Sequence, residues 1–264
     1  MIMESFSMDR MGLVMTKEIR ENWRNLLMML GVMLGTMTMA AILCAQSTIS
    51  SLREYDPAIG GEVIAFTMLF FAFGAISASM MFRNMNSKES RLATMMNPAS
   101  QLEKYIARWL IFIPGFVAVY FLFGFVADFV RYIIYVGIIP ADIHPVRLIS
   151  IGDVFKQRLA DEWNTVLMMF CIIQSFFALG SSVWPRNSLV KTFIALAVIG
   201  IAYIFIGIWT VDLMIDDEVR TGWRIYRGDD ISPLWLWIPT VTMCIINYTV
   251  AYFRFRESEI IERW

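Results

Sequence analysis

Six long apolar runs dominate the chain: Leu26–Ala45, Val63–Phe82, Trp109–Ala127, Trp163–Trp184, Thr192–Val211 and Pro233–Phe253. Each is close to the roughly 20 residues that an α-helix needs to cross about 30 Å of hydrocarbon. None alternates polar with apolar positions, so the strands of a membrane β-barrel are excluded. The pattern predicts an all-α, polytopic membrane protein with six transmembrane helices in a domain covering residues 26–253. The third run stays apolar through Tyr135, broken only by Asp128 and Arg131. At about 1.5 Å per residue from Trp109, that i, i+3 ion pair falls at the outer interface.

Ahead of the first run the period changes. Met8, Met11, Met15, Ile19 and Trp23 recur every three or four residues, while Arg10, Lys17, Glu18, Arg20, Glu21 and Arg24 cover the other positions. Residues 1–25 therefore read as an amphipathic helix on the cytoplasmic membrane surface, with a charged flank that orients the first span as the plainer alternative. The first run starts too late, and lacks the small-residue cleavage site, for a removable signal peptide.

Composition agrees with lipid as the solvent: 58% of the residues are hydrophobic and only 17% charged, and mean hydropathy is +0.60. Charge then sets orientation. With the N-terminus inside, the inner segments carry 14 of the 22 Lys and Arg residues, which places both termini in the cytoplasm. The short Pro185–Lys191 loop, with Arg186, Lys191 and no acid, points the same way. Residues 254–264 become a cytoplasmic tail, and 138–162 and 212–232 become the long outer loops.

The loop Arg83–Arg108 holds the most local information. Ser87 is placed to cap a short helix running to Met96, with Glu89 in its first turn. Asn97-Pro98 ends it, because the residue before proline is pushed out of the helical region. Ser100-Gln101-Leu102-Glu103 is a capping-box sequence that restarts a helix leading into the third run. The result is a short amphipathic helix and a hard corner joined to a membrane helix, which suits transmission of force from a cytoplasmic partner. A solvated connector is the plain alternative.

The same residues, Arg91-Leu92-Ala93-Thr94-Met95-Met96-Asn97-Pro98-Ala99-Ser100-Gln101-Leu102-Glu103-Lys104-Tyr105 followed by Ala107-Arg108-Trp109-Leu110, resemble the loop after the second span of ABC-2-type transporter permeases. The layout of six spans, an amphipathic N-terminal helix and internal termini is similar as well. The resemblance implies that this loop holds a coupling helix docking into a cleft of a separate ATP-binding cassette subunit. Lys88, Arg91, Leu92, Met95, Met96, Pro98 and Glu103 would then be the contact residues. It further implies an exporter of the bacterial cytoplasmic (inner) membrane, working as two permease copies, most simply a homodimer. The chain departs from the family in its outer segments. Here Ile138–Glu162 is long, with a helical-looking stretch near Val154–Ala160, while the loop between the last two spans is rich in acids.

Other chemistry finds little support in the residues. There is no GxxxxGK[ST] and no Gly-Lys pair, so the chain itself is expected to bind no cofactor; ATP and Mg belong to the partner subunit. His144 is the single histidine and Cys44, Cys171 and Cys244 show no CxxC spacing, so no metal site and no catalytic residue is assigned. No basic, aromatic-interleaved patch suggests nucleic acid. Gly31 with Gly35, and Gly74 with Ala78, are small-residue surfaces that allow close helix approach. They suit a dimer seam or packing within one subunit, and the sequence leaves both open. Spans without intramembrane carboxylates favour a hydrophobic or amphiphilic substrate over an ion. A non-transporting membrane scaffold or sensor, or a membrane enzyme, is the alternative function.

Overall fold

The computed structural model describes residues 6–49, 58–136, 148, 160–214 and 233–257. Among these residues the chain is all-helical: α1 (Met8–Ile49), α2 (Ala58–Met80), a 3-10 turn (Arg83–Met85), α3 (Lys88–Met95), α4 (Gln101–Phe112), α5 (Pro114–Val136), α6 (Ala160–Val183), α7 (Ser188–Met214) and α8 (Pro233–Glu257). His144, nearly all of the helical-looking stretch (residues 154–159) and the acidic runs after Met214 lie outside the described residues. So does the end of the C-terminal tail.

Among the described residues, five helical segments are long and apolar enough to cross a membrane: Met8–Gln46, Gly61–Met85, Gln101–Ile134, Asn164–Val183 and Ser188–Ile206. They are the mark of an integral membrane protein. The sixth apolar run forms α8, which is not among those five segments. Apolar side chains face outward in quantity. On α7, Phe193, Val198, Tyr203, Ile204 and Phe205 are all more than half exposed, an arrangement that suits lipid and not water.

α1 departs from the expected boundary near residue 25. It runs without a break for 42 residues, about 63 Å at 1.5 Å per residue. No proline interrupts it, and Gly12, Gly31 and Gly35 are each tolerated singly. The amphipathic segment and the first apolar run are therefore one helix. The apolar stripe divides: Met11, Val14 and Met15 pack on Ala99 and Ala107, whereas Met8, Ile19 and Trp23 stay exposed. Buried positions step by four from Val14 through Glu18 to Asn22, and again from Met33 through Met37 and Ala41 to Ala45. Each such step advances the face by about 40°, so the helix turns its contacts from α4 toward α2 and α5 as it rises.

Pro114 divides α4 from α5, sitting at the first position of the new helix, where its missing N–H costs least. The break frees backbone carbonyls, and in an apolar interior each needs a donor. Ser77 on α2 donates to the Phe112 carbonyl at 2.6 Å. Higher up, the Tyr120 hydroxyl donates to the Phe66 carbonyl at 2.6 Å, so α2 is bonded to both halves of the kinked helix.

Small residues govern the remaining contacts. A Cβ on Gly74 would lie 2.5 Å from Phe170 Cε2, and that ring stacks on Phe70 with centroids 3.9 Å apart. Gly74 and the buried Ala78 thus pack within one chain, which decides one of the two surfaces left open by the sequence. Gly31 and Gly35 meet nothing within 4 Å. Asn187 takes φ 58°, a left-handed conformation that asparagine tolerates, and folds α7 back on α6. There a Cβ on Gly180 would lie 2.8 Å from the Cβ of the buried Thr192, too close for a rotamer change to relieve. Gly180→Ala should accordingly destabilise by about 1–3 kcal/mol through overpacking, while Gly35→Ala should be neutral. Thermal unfolding of both variants in one detergent checks this.

Candidate partner-docking site

The loop after α2 is built from caps. Ser87 accepts the Ser90 N–H at 3.2 Å to start α3, and the Ser90 hydroxyl bonds back to the Asn84 carbonyl in the 3-10 turn. Met96 closes α3 with its N–H on the Leu92 carbonyl at 2.9 Å. Asn97-Pro98 then turns the chain, the Ala99 N–H reaching the Asn97 carbonyl at 2.8 Å. Both halves of the capping box form at α4: Ser100 Oγ accepts the Glu103 N–H at 3.2 Å, and Glu103 Oε2 accepts the Ser100 N–H at 2.9 Å.

This arrangement presents apolar side chains outward. Leu92 is 55% exposed and Met96 82% exposed, with Pro98 also exposed and Arg91 half-buried. Lys88 and Met95 lie in the backbone of α3, and their side chains are outside the described residues. Glu103 is different. It is fully buried, and its Oε1 also accepts the Ser7 N–H at 2.8 Å and pairs with Arg10 at 3.3 Å. It ties the start of α1 to the corner and presents nothing outward, so its role is wider than the half of a capping box that its spacing suggests.

Beneath α3 lies a buried ion pair. Arg108 Nε is 3.3 Å from Glu18 Oε1, and these residues are 2% and 6% exposed. Glu18 also accepts from Asn84 Nδ2 at 2.9 Å and Asn22 Nδ2 at 3.3 Å. Arg108 Nη2 reaches Thr94 Oγ1 of α3 at 3.5 Å. The guanidinium lies 5.9 Å from the Phe82 ring centroid and 5.5 Å from that of Phe255 on α8, within cation–π range. Five segments thus converge on one charge pair: α1, the 3-10 turn, α3, α4 and α8. Beside it the Tyr105 hydroxyl donates to the Tyr248 carbonyl at 2.9 Å, fixing α4 to α8 a second time.

The charge pattern of the first helix assigns Glu18 to its solvated face. The structure buries it instead, because Arg108 at the foot of α4 needs a carboxylate. One signal was present in the sequence: Glu18 and Asn22 continue, at spacings of four, the face that Val14 begins.

Chemically, the site is an exposed apolar knob on a rigid mount. The mount's stability rests on the ion pair, since removing one member strands a buried charge. Glu18→Gln or Arg108→Met should each cost about 3–5 kcal/mol, and the double change to methionine should recover much of it. Thermal unfolding of the single and double variants, with proteolysis of the 83–100 segment, measures the effect. Compared with protein-family models, curated proteins and solved structures, the chain matches none of them.

Proposed function

We propose that the chain is the transmembrane permease subunit of an ATP-driven ABC transporter, exporting a hydrophobic or amphiphilic substrate and coupled to a separate ATP-binding subunit. One observation carries the reading: α3 holds Leu92 and Met96 exposed while the Glu18–Arg108 pair beneath it joins α3 to α1, α4 and α8. A solvated connector has no need of apolar knobs, and a flexible one would not be bolted to three long helices. A partner that grips Leu92 and Met96 would move those helices as a unit.

In this reading α8 is the sixth span, the 83–108 loop and both termini face the cytoplasm of a bacterial inner membrane, and two copies form the working pathway. ATP and Mg bind the partner. The apolar outer faces and the sparse charge between the bundle ends fit a substrate that partitions into lipid.

Burying an unpaired carboxylate in a docking cleft costs several kcal/mol. Met96→Asp or Leu92→Asp should therefore abolish co-purification of the ATP-binding subunit and its stimulated hydrolysis, with normal membrane insertion. Pro98→Ala should let α3 run on and weaken coupling less severely. Wild-type ATPase binding and turnover in both aspartate variants, at matched expression, would refute docking at α3.

Orientation is tested separately. Single cysteines in a cysteine-free background should react with an impermeant reagent from outside near Asp56, Asp142–Asp161 and Asp216–Asp230. A cysteine at Ser90 should not. Reaction of that cysteine from outside inverts the topology and removes the docking reading with it.

A further inference from the structure

At the end of the bundle opposite α3, two carboxylates share one guanidinium. Glu62 stands one turn into α2, and Asp128 and Arg131 lie one turn apart on α5. All three are buried, Glu62 completely. Arg131 Nε lies 3.1 Å from Glu62 Oε2. The same guanidinium bonds Asp128 Oδ1 through Nε at 2.9 Å and Nη2 at 2.7 Å. The sequence shows the i, i+3 pair but not its third member, because Glu62 stands just outside the second apolar run.

The two carboxylates differ in what a helix movement does to them. Asp128 and Arg131 ride together on α5, so their bond survives a separation of α2 from α5. Glu62 rides on α2. When α2 leaves, Arg131 keeps a partner, and Glu62 moves with α2, one turn from its start at the end of the bundle. The guanidinium is therefore not stranded in an apolar interior by the separation. The Glu18–Arg108 joint has the opposite character, since groups from five segments brace it and no helix there departs without breaking it.

We propose that Glu62, Arg131 and Asp128 form a latch between α2 and α5. Shared between both carboxylates, Arg131 holds the helices together; kept by Asp128 alone, it releases α2, and the bundle opens at this end while the α3 end stays closed. The protein carries its own reporter. Cys44 on α1 is half-buried, with Sγ 3.6 Å from the position of a Cβ on Gly61, the neighbour of Glu62. Movement of α2 away from the bundle uncovers that thiol.

The test uses the full chain in lipid nanodiscs, with Cys171→Ser and Cys244→Ser so that Cys44 alone reacts, and a water-soluble maleimide whose reaction rate is followed across a pH series, so that the change Glu62→Gln makes in the charge beside the thiol is separated from a change in its exposure. Glu62→Gln should raise the rate several-fold over the parent. Asp128→Asn leaves Arg131 to Glu62 and should keep the rate at or below the parent's. Equal rates in the parent and Glu62→Gln, or the same rise in both variants, would overturn the latch. The measurement needs no nucleotide and no partner subunit, so its outcome is independent of docking at α3.

Discussion

A guanidinium withdrawn from water must be matched by a carboxylate, and much of this structure follows from meeting that condition at Arg108. The residue is buried between the Phe82 and Phe255 rings. Its partner, Glu18, lies on a different helix, so α1 has to pass the foot of α4 at a fixed height and rotation. Asn22 and Asn84 then complete the Glu18 carboxylate, which draws in the turn after α2. Thr94 on the other side draws in α3. The short loop helix is held because the charge beneath it needs every one of these neighbours.

A second buried guanidinium, Arg131, is matched at the far end by the carboxylates of Glu62 and Asp128. From Arg108 to Arg131 the chain climbs about 35 Å at 1.5 Å per residue, slightly more than the hydrocarbon thickness of a bilayer, about 30 Å. Between the two ionic layers the interior is aromatic and aliphatic, with Phe70, Phe116, Tyr120 and Phe170 in mutual ring contact. Polar groups there serve the backbone: Ser77 and Tyr120 each donate to a carbonyl, and Asn247 reaches Ser175 across α6 and α8 at 2.9 Å. Charge at the ends and neutral groups between is the distribution that suits a membrane-spanning bundle. The two ionic layers are built differently, one as a many-sided joint and one as a shared cation, and that asymmetry gives the bundle a fixed end and an end able to part.

Close approach of helices rests on glycine where a ring or a branched side chain faces the backbone. Gly74 receives Phe170, and Gly180 receives Thr192. Gly31 and Gly35 on α1 have open space before them, so an identical small-residue spacing has opposite meanings on α1 and α2. Spacing defines only which residues share a face; what faces them is a matter of how the other helices are arranged.

Local sequence is enough to set the helical class, the positions of the long apolar segments and the caps and corner of the 83–108 loop. Each depends on neighbours within a few residues: apolar run length, Ser87 and Ser100 as caps, Pro98 as a break. Tertiary structure decided what those elements are attached to. The burial of Glu18 against Arg108, the bonding of Glu103 to Ser7 and Arg10, and the joining of Glu62 to Arg131 all pair residues far apart in the chain. Local pattern sets a charged residue in a helix apart from its apolar face and so assigns it to solvent. Only the packed bundle shows which charge has been buried against a partner, because the energy that permits the burial comes from the other helix.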